Sequence, residues 1–600
     1  MAGASGDTPR ADRIVAATCA AILLVLFAVH IRGYFFLLDD FVVLGEAASR
    51  GVTGLLAGPL FNFYRPAGPL WLLAQFQVFG WAHPSGYAAL AIIAHAASAA
   101  AVGVLARRVT GERHVATIAA ALFLISPWAT EPFLWVSGVF DLLATLGLVA
   151  ALALALAAID AGSGQRAVML CAAATGCAAI AMLAKEIGVL APAILVATLL
   201  LARERRAWTG APAIACVATF SVTALLYLLW RERLLPGLGG GYGDLGALLG
   251  RGSIGDSVMS YARALVEFPL PGDRLVGWLT WPRLAAIVVA SVACMAVWMT
   301  LRTRPRIATL CGVGIAMAVA PVLWVSLIEG NSAGNRFLYF AGVWFAILMA
   351  AGMSRLPLVP RLTAFGLFAV IGVTSVAHQV RLWGVASSLS RETVEQMRGY
   401  RGGSAPLFVE NLPSIFAEGP YVINPLAFSY YDGGGWPRVR AHAMTVRIDR
   451  GAPLFAVWID QNAPEPDETR VRLRLPVWSG ESRVLGAIDA PAAGQAVTQP
   501  FTIRGWAIDA DGREGAGIES VRVYAYPVPG DEASALFVGV ASFGSARSDV
   551  AAVHGPRFAA SGFSIEASNL KPGLYEIVAF ARPAATRVSA AIRAANVVVR

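Results

Sequence analysis

Eleven apolar runs divide the first 380 residues, and they leave little choice of fold. They are Ile14–Leu38, Tyr87–Leu105, Val115–Pro127, Phe133–Ile159, Ala167–Leu183, Ile187–Ala202, Ala211–Trp230, Leu284–Leu301, Ile307–Leu327, Phe337–Met353 and Leu362–Val380. A transmembrane helix needs about 20 apolar residues. The runs therefore predict a polytopic α-helical membrane protein with about eleven transmembrane helices, Val115–Pro127 being the short one. The first run is too long for a signal peptide and lacks a small-residue cleavage site, so we expect it to remain as a helix. Of 600 residues, 57% are hydrophobic and 14% charged, against about a quarter charged in a soluble domain. Charges sit in short clusters up to residue 380, after which the chain reads as soluble. The net charge of +9 is mostly arginine, with only two lysines, Lys185 and Lys571. No basic stripe interleaves with aromatics, so nucleic acid is not an expected partner.

Arginine placement orients the runs, because cytoplasmic loops carry the excess of Lys and Arg. With the N-terminus inside, the cytoplasmic ends hold Arg10 and Arg13, then Arg107, Arg108 and Arg113, then Arg166. Arg203, Arg205 and Arg206 follow, then Arg302, Arg304 and Arg306, then Arg355 and Arg361. Every second loop is basic, which makes the count odd and puts the C-terminal part outside. The outer loops are then 39–85, 128–132, 184–186, 231–283 and 328–336.

Charges at the membrane edge fall in those outer loops: Asp39, Asp40, Arg65, Glu131, Lys185, Glu186, Glu329 and Arg336. Near hydrocarbon a charge costs about 2.5–3.5 kcal/mol on the lower scale, so such groups are paired or functional. Each alone fits helix-end anchoring or an internal salt bridge as well as a site. As a set they bring carboxylates and cations to one face. A carboxylate there can take a proton from a hydroxyl nucleophile or hold a divalent cation, Mg or Mn, with Asp39 the candidate ligand. Arginine and lysine suit a phosphate. Together they describe transfer from a lipid-phosphate donor, since a cytosolic nucleotide sugar does not reach this face.

Six stretches occur in order: LLDDF (37–41), FYRPAGPLWLL (63–73), HPSGYAALAIIAHAASAA (83–100), LISPWATEPFLWVSGVFDLLA (124–144), MLAKEIGVLAP (182–192) and NRFLYFAGVWF (335–345). In these the chain resembles the GT-C membrane glycosyltransferases, close to the protein O-mannosyltransferases and their tetratricopeptide-bearing relatives. The resemblance implies a GT-C fold and a hexosyl- or pentosyltransferase that uses a polyprenyl-phosphate sugar. The acceptor would be extracytoplasmic: a protein, a lipid or a polysaccharide. The resemblance also implies a bacterial-type inner membrane location and Asp39 as base or metal-binding carboxylate, with Asp40 supporting it. Glu131 would orient acceptor or sugar. Lys185 would touch the donor phosphate or pair with Glu186; Arg65 and Arg336 are further phosphate candidates. Glu186, Tyr339 and His95 are supporting residues, His95 being read first as a packed, hydrogen-bonded side chain. Asp141 follows Glu131 by ten residues. On one helix it lies about 15 Å deeper, against a neighbouring helix. A polysaccharide polymerase or ligase shares the donor and face, and a lipid-linked-sugar flippase shares the helices but favours internal repeats and midplane charges.

The Gly-rich GLGGGYGDLGALLGRG (237–252) is no phosphate loop, because no Gly-Lys-Ser/Thr follows. Residues 253–270 have helical spacing and read as a surface helix or a linker. Beyond 380, residues 381–398 read as helix, and short β-rich runs such as PLFVENLP, PYVINPLAF and AMTVRID suggest a small α/β-type domain over 381–485. Residues 486–600 carry regularly punctuated strands, FTIRGWAID to NVVVR, and resemble a bacterial immunoglobulin-like β-sandwich. All six cysteines lie in the helical half, so the outer domains are expected to do without disulfides.

Overall fold

The computed structural model describes residues 8–60, 63–202, 210–235, 254–270, 274–276, 279–323, 327, 332, 334–416, 419–448, 454–458, 468–471, 473, 484–492, 494–510, 514–527, 536–584 and 590–600. Glu329, the arginines at 203–206 and the Gly-rich stretch 237–252 lie outside them. The chain forms two compact units. The first takes the described residues up to Arg391 together with 419–421 and Leu426–Gly434.

This unit is helical. Its helices are α1 (Thr8–Gly33), α2 (Asp39–Ala57), α3 (Ala67–Phe79), α4 (Pro84–Thr110), α5 (Arg113–Leu124), α6 (Thr130–Leu134), α7 (Val139–Asp160), α8 (Gln165–Ala184) and α9 (Ala191–Ala202). They continue with α10 (Ala211–Leu234), α11 (Ile254–Ala264), α12 (Trp281–Thr303), α13 (Pro305–Val319), α14 (Tyr339–Met353) and α15 (Leu358–Met397). Among the described residues nine helices are long and apolar enough to cross a membrane, and two shorter apolar ones, Arg113–Leu124 and Glu186–Ala202, complete the eleven expected runs. The chain is a polytopic helical membrane protein with a β-rich C-terminal part. The spans start and stop where the local chemistry says they should. Pro84 and Pro305 sit in first turns, where the missing N–H costs nothing. Gly111 ends α4 at φ +79°, its N–H bonded to the Arg107 carbonyl.

All 15 residues of α14 are buried, so this helix forms the centre of the unit. Its Gly342 lies against the Trp128 indole, where no Cβ fits. At one end of the unit Arg108 pairs with Asp160 at 2.9 Å. There too Glu112 collects Arg304, Arg355 (2.8 Å) and His114 (3.1 Å). At the other end, short helices α2 and α3 fill much of the loop 39–85. The segment 426–434 docks there: Tyr430 donates to Glu46 at 2.9 Å, and the Tyr431 ring packs on Trp81 at 5.1 Å. PYVINPLAF, expected as a strand, is turns followed by a four-residue helix α16 (Ala427–Tyr430). Pro420 and Pro425 interrupt it, and Phe428 is buried.

In the first unit β1 (Arg274–Val276) pairs antiparallel with β2 (Leu279–Thr280); the second unit is mostly β. Strands β3 (Leu407–Phe416), β4 (Val439–Ile448), β5 (Leu454–Trp458) and β6 (Thr469–Val471) form a sheet in the order β5-β4-β3-β6, with β3 parallel to β4 and β6. Strands β7 (Val484–Ala490), β8 (Ala496–Val497), β9 (Phe501–Asp509), β10 (Ile518–Pro527), β11 (Leu536–Ser545), β12 (Gly562–Ala567), β13 (Gly573–Pro583) and β14 (Ala590–Val599) form another, in the order β7-β9-β12-β11-β10-β13-β14-β8. Period-two burial supplies its core: Phe501 and Ile503 of β9, Val521 and Val523 of β10, and Ile577 and Ala579 of β13. The six cysteines, all in the helical unit, are free.

Candidate active site

The site is built around a turn. Leu37 and Leu38 end the apolar run, and the Asp40 N–H donates to the Leu37 carbonyl at 2.8 Å. Leu38 pays for the tight reversal with φ +37°, a region that a side chain with a Cβ rarely takes. Such strain persists only where surrounding contacts hold it, and here they are visible. Asp40, fully buried, accepts from the Tyr34 hydroxyl (2.5 Å), the Leu37 N–H (2.9 Å), the Ser137 N–H (2.7 Å) and the Ser137 hydroxyl (2.6 Å). It staples the turn to residues 136–137. Burial pushes its carboxyl up to about 7, against the pull of those four hydrogen bonds. An Asp40→Asn variant turns an NH2 group toward donors and strands at least one of them. We expect it to lose about 1–3 kcal/mol of stability, read as a fall in the thermal unfolding midpoint in detergent.

Asp39 points the other way, into a cavity of about 330 Å³. Arg65, Asp141, Lys185, Arg336 and Trp135 also line it. The Asp39 carboxylate is open to the cavity yet hemmed in by protein on its other sides. That surrounding burial raises its pKa, and Arg336 opposes the rise. Among the described residues it makes no hydrogen bond or ion pair.

The cations of the cavity all carry carboxylates. Arg65 holds Glu186 through two contacts, 2.7 and 2.8 Å. Lys185 meets Asp141 at 2.5 Å. Arg336 meets Glu131 twice, by its backbone N–H (2.8 Å) and its guanidinium (2.5 Å). Glu131 is fully buried; desolvation raises its pKa, and Arg336 pulls it back. Burial likewise lowers the Lys185 ammonium, and Asp141 opposes that. Lys185 and Glu186 face different partners because α8 ends at Ala184 and a 3-10 turn begins at once. Gly188 in that turn lies against the backbone of Ala181 and Met182, where a Cβ does not fit.

The sequence-derived residues therefore divide. Asp39, Arg65, Lys185 and Arg336 line the cavity; Glu131 and Glu186 stand behind its arginines; Asp40 braces the turn. His95 and Tyr339 do not line it. They bond each other at 2.8 Å, and the His95 ring stacks on Phe133 at 4.1 Å, a packed pair inside the bundle. The alternative reading of Lys185, a pair with Glu186, does not form: each has a different partner. Asp141 is not 15 Å below Glu131 on one helix. The chain breaks between α6 and α7, a 3-10 turn covers Val136–Gly138, and Asp141 sits in the first turn of α7, on the cavity. Pro132 and Gly138 were the available signals for that break. Sequence reasoning also missed Ser137 and Tyr34, the partners of Asp40. It missed Tyr421 as well, whose hydroxyl lies 3.5 Å from the Arg336 guanidinium and whose ring packs on Trp135 at 4.9 Å. Among the described residues no three His, Cys, Asp or Glu side chains group to hold a metal ion. Asp39 has no second free carboxylate beside it, since Asp141 is held by Lys185. The described residues do not fit a dedicated cation site, and no step below runs through one.

No protein-family model and no curated protein matches the chain. Among solved structures it is similar to ArnT from Cupriavidus metallidurans in the apo state: 14% identity, TM-score 0.42, 66% of this chain and 81% of that one. It is also similar to the archaeal oligosaccharyltransferase AglB from Archaeoglobus fulgidus, in complex with an inhibitory peptide and a dolichol-phosphate: 13% identity, TM-score 0.37, 65% and 62%. A third is the arabinosyltransferase EmbB from Mycobacterium smegmatis: 12% identity, TM-score 0.32, 97% and 64%. The chain spans less than two thirds of the AglB and EmbB chains.

Proposed function

We propose that the chain is a membrane glycosyltransferase of the GT-C type, moving a sugar from a polyprenyl-phosphate donor to an extracytoplasmic acceptor. The observation that carries the reading is the cavity: one carboxylate without a protein partner among the described residues, Asp39, shares it with Arg65, Lys185 and Arg336. A free carboxylate suits a proton acceptor. Three cations suit a phosphate. In this reading the acceptor hydroxyl gives its proton to Asp39 and its oxygen forms the new bond to the anomeric carbon. The bond from that carbon to the phosphate oxygen breaks on the opposite side, so configuration inverts. The electron pair leaves with polyprenyl phosphate, whose charge the cations stabilise. Asp40 acts through position, by holding the Leu38 turn.

The proposed setting is a bacterial-type inner membrane with a cytoplasmic N-terminus, which the alternating basic loops support. Residues 381–485 and 486–600 are then two outer domains, the second immunoglobulin-like. The expected result in a strain lacking the chain is accumulation of a lipid-linked sugar and loss of one glycan product, both read by mass spectrometry. A strain with unchanged lipid-linked sugars and glycans rules the activity out.

A further inference from the structure

A second cavity, of about 380 Å³, lies at the opposite end of the helical unit, among Arg13 of α1, Arg107 of α4 and Arg113 of α5. Ala100, Gly103 and Ala116 also line it, with His114 and Thr117. Gly103 brings α4 close to α5: a Cβ on it would stand 3.1 Å from the Ala116 carbonyl oxygen. We propose that this cleft binds the phosphate-bearing headgroup of an anionic membrane lipid.

Pairing distinguishes these arginines from their neighbours. At the same end Arg108 is matched by Asp160, and Arg304 and Arg355 by Glu112. Glu112 also meets the nearby His114 imidazole at 3.1 Å, so its carboxylate is already engaged by two arginines and a histidine. Arg13, Arg107 and Arg113 have no carboxylate partner among the described residues. Three guanidiniums of one sign around one concavity repel each other unless an anion sits between them. Arginine's planar fork matches phosphate oxygens in pairs. A phosphate in free solution would satisfy the same donors; the surroundings favour a lipid. The helix that carries Arg13 also bears exposed apolar side chains, Ile14, Leu24 and Val25 at 59%, 71% and 65%, which offer contact for acyl chains. Basic pockets between membrane helices are suited to such headgroups, each arginine near the surface being worth about a factor of five in binding. The inference concerns a different end of the molecule from Asp39 and does not depend on the proposed reaction.

The test uses the full chain, purified in neutral detergent and stripped of lipid. Phosphatidylglycerol, phosphatidylcholine or inorganic phosphate is then added at fixed ionic strength. Native mass spectrometry counts retained lipid, and thermal unfolding reports stabilisation. The expected result is one phosphatidylglycerol held by the wild type. Retention should be roughly a hundredfold weaker in Arg13→Gln/Arg107→Gln/Arg113→Gln and unchanged in Arg302→Gln/Arg306→Gln. Should the triple variant fail to fold, Arg107→Gln alone gives the same readout with a roughly fivefold loss. Equal retention by wild type and cleft variants overturns the site, as does an equal loss in the control variant. Equal retention of phosphatidylcholine overturns the anionic headgroup. Stabilisation by inorganic phosphate as large as by phosphatidylglycerol overturns the lipid.

Discussion

Replacing Asp39 with asparagine should cut turnover by about 10²–10⁴-fold, the usual worth of a positioned general base, with expression and membrane insertion unchanged. Asparagine keeps the shape of the side chain but is neutral and cannot take a proton. Because the Asp39 carboxylate has no partner among the described residues, the substitution breaks no ion pair and should leave the fold alone. The pH profile of the wild type gives an independent reading. A base must be ionised to act, and burial raises the Asp39 pKa, with Arg336 opposing. The rate should therefore rise with pH through a value above the ordinary carboxylate range, and this acid limb should vanish from the residual activity of the variant. Normal transfer by Asp39→Asn would falsify the base assignment.

The second large effect is expected at Arg336. Arg336→Ala removes a proposed phosphate ligand and also strips Glu131, whose side chain is only 1% exposed, of its partner. Breaking a buried pair costs about 3–5 kcal/mol. Here the loss should depend on pH. Burial raises the Glu131 carboxyl, and without Arg336 nothing comparable pulls it back. A carboxyl raised in the folded state favours folding below its unfolded pKa, and that contribution is lost as pH rises through the folded pKa. The deficit of the variant should therefore be largest at alkaline pH and shrink on acidification in thermal unfolding. A deficit that grows on acidification contradicts this account of the pair. In binding assays Arg336→Ala and Lys185→Ala should each weaken donor more than acceptor; unchanged donor affinity in both removes the phosphate role.

The helices were legible because hydrophobicity is a local property, summed over windows that match a span. Asp39, Arg65, Lys185 and Arg336 were legible as residues, because charge next to an apolar run is conspicuous. Their partners were not. Lys185 bonds Asp141, 44 positions back, and Arg65 bonds Glu186, 121 positions on, and only packing chooses between such distant pairs. Asp141 was misplaced because the apolar run from Phe133 looks continuous although its backbone breaks at Val136–Gly138. Tyr421 reaches Arg336 across 85 positions and carries no local mark beyond being aromatic.

The carboxylates behind the cations have a kinetic meaning under the proposed reaction. Glu131, Asp141 and Glu186 serve as built-in counterions, one for each cation of the cavity wall. An incoming phosphate must share those guanidinium and ammonium protons rather than claim bare ones. That competition limits the grip on the spent carrier after transfer as much as on the incoming donor. If the proposed reaction holds, the spent carrier should therefore leave faster than from a site with bare cations, and its release should slow in a Glu131→Gln variant.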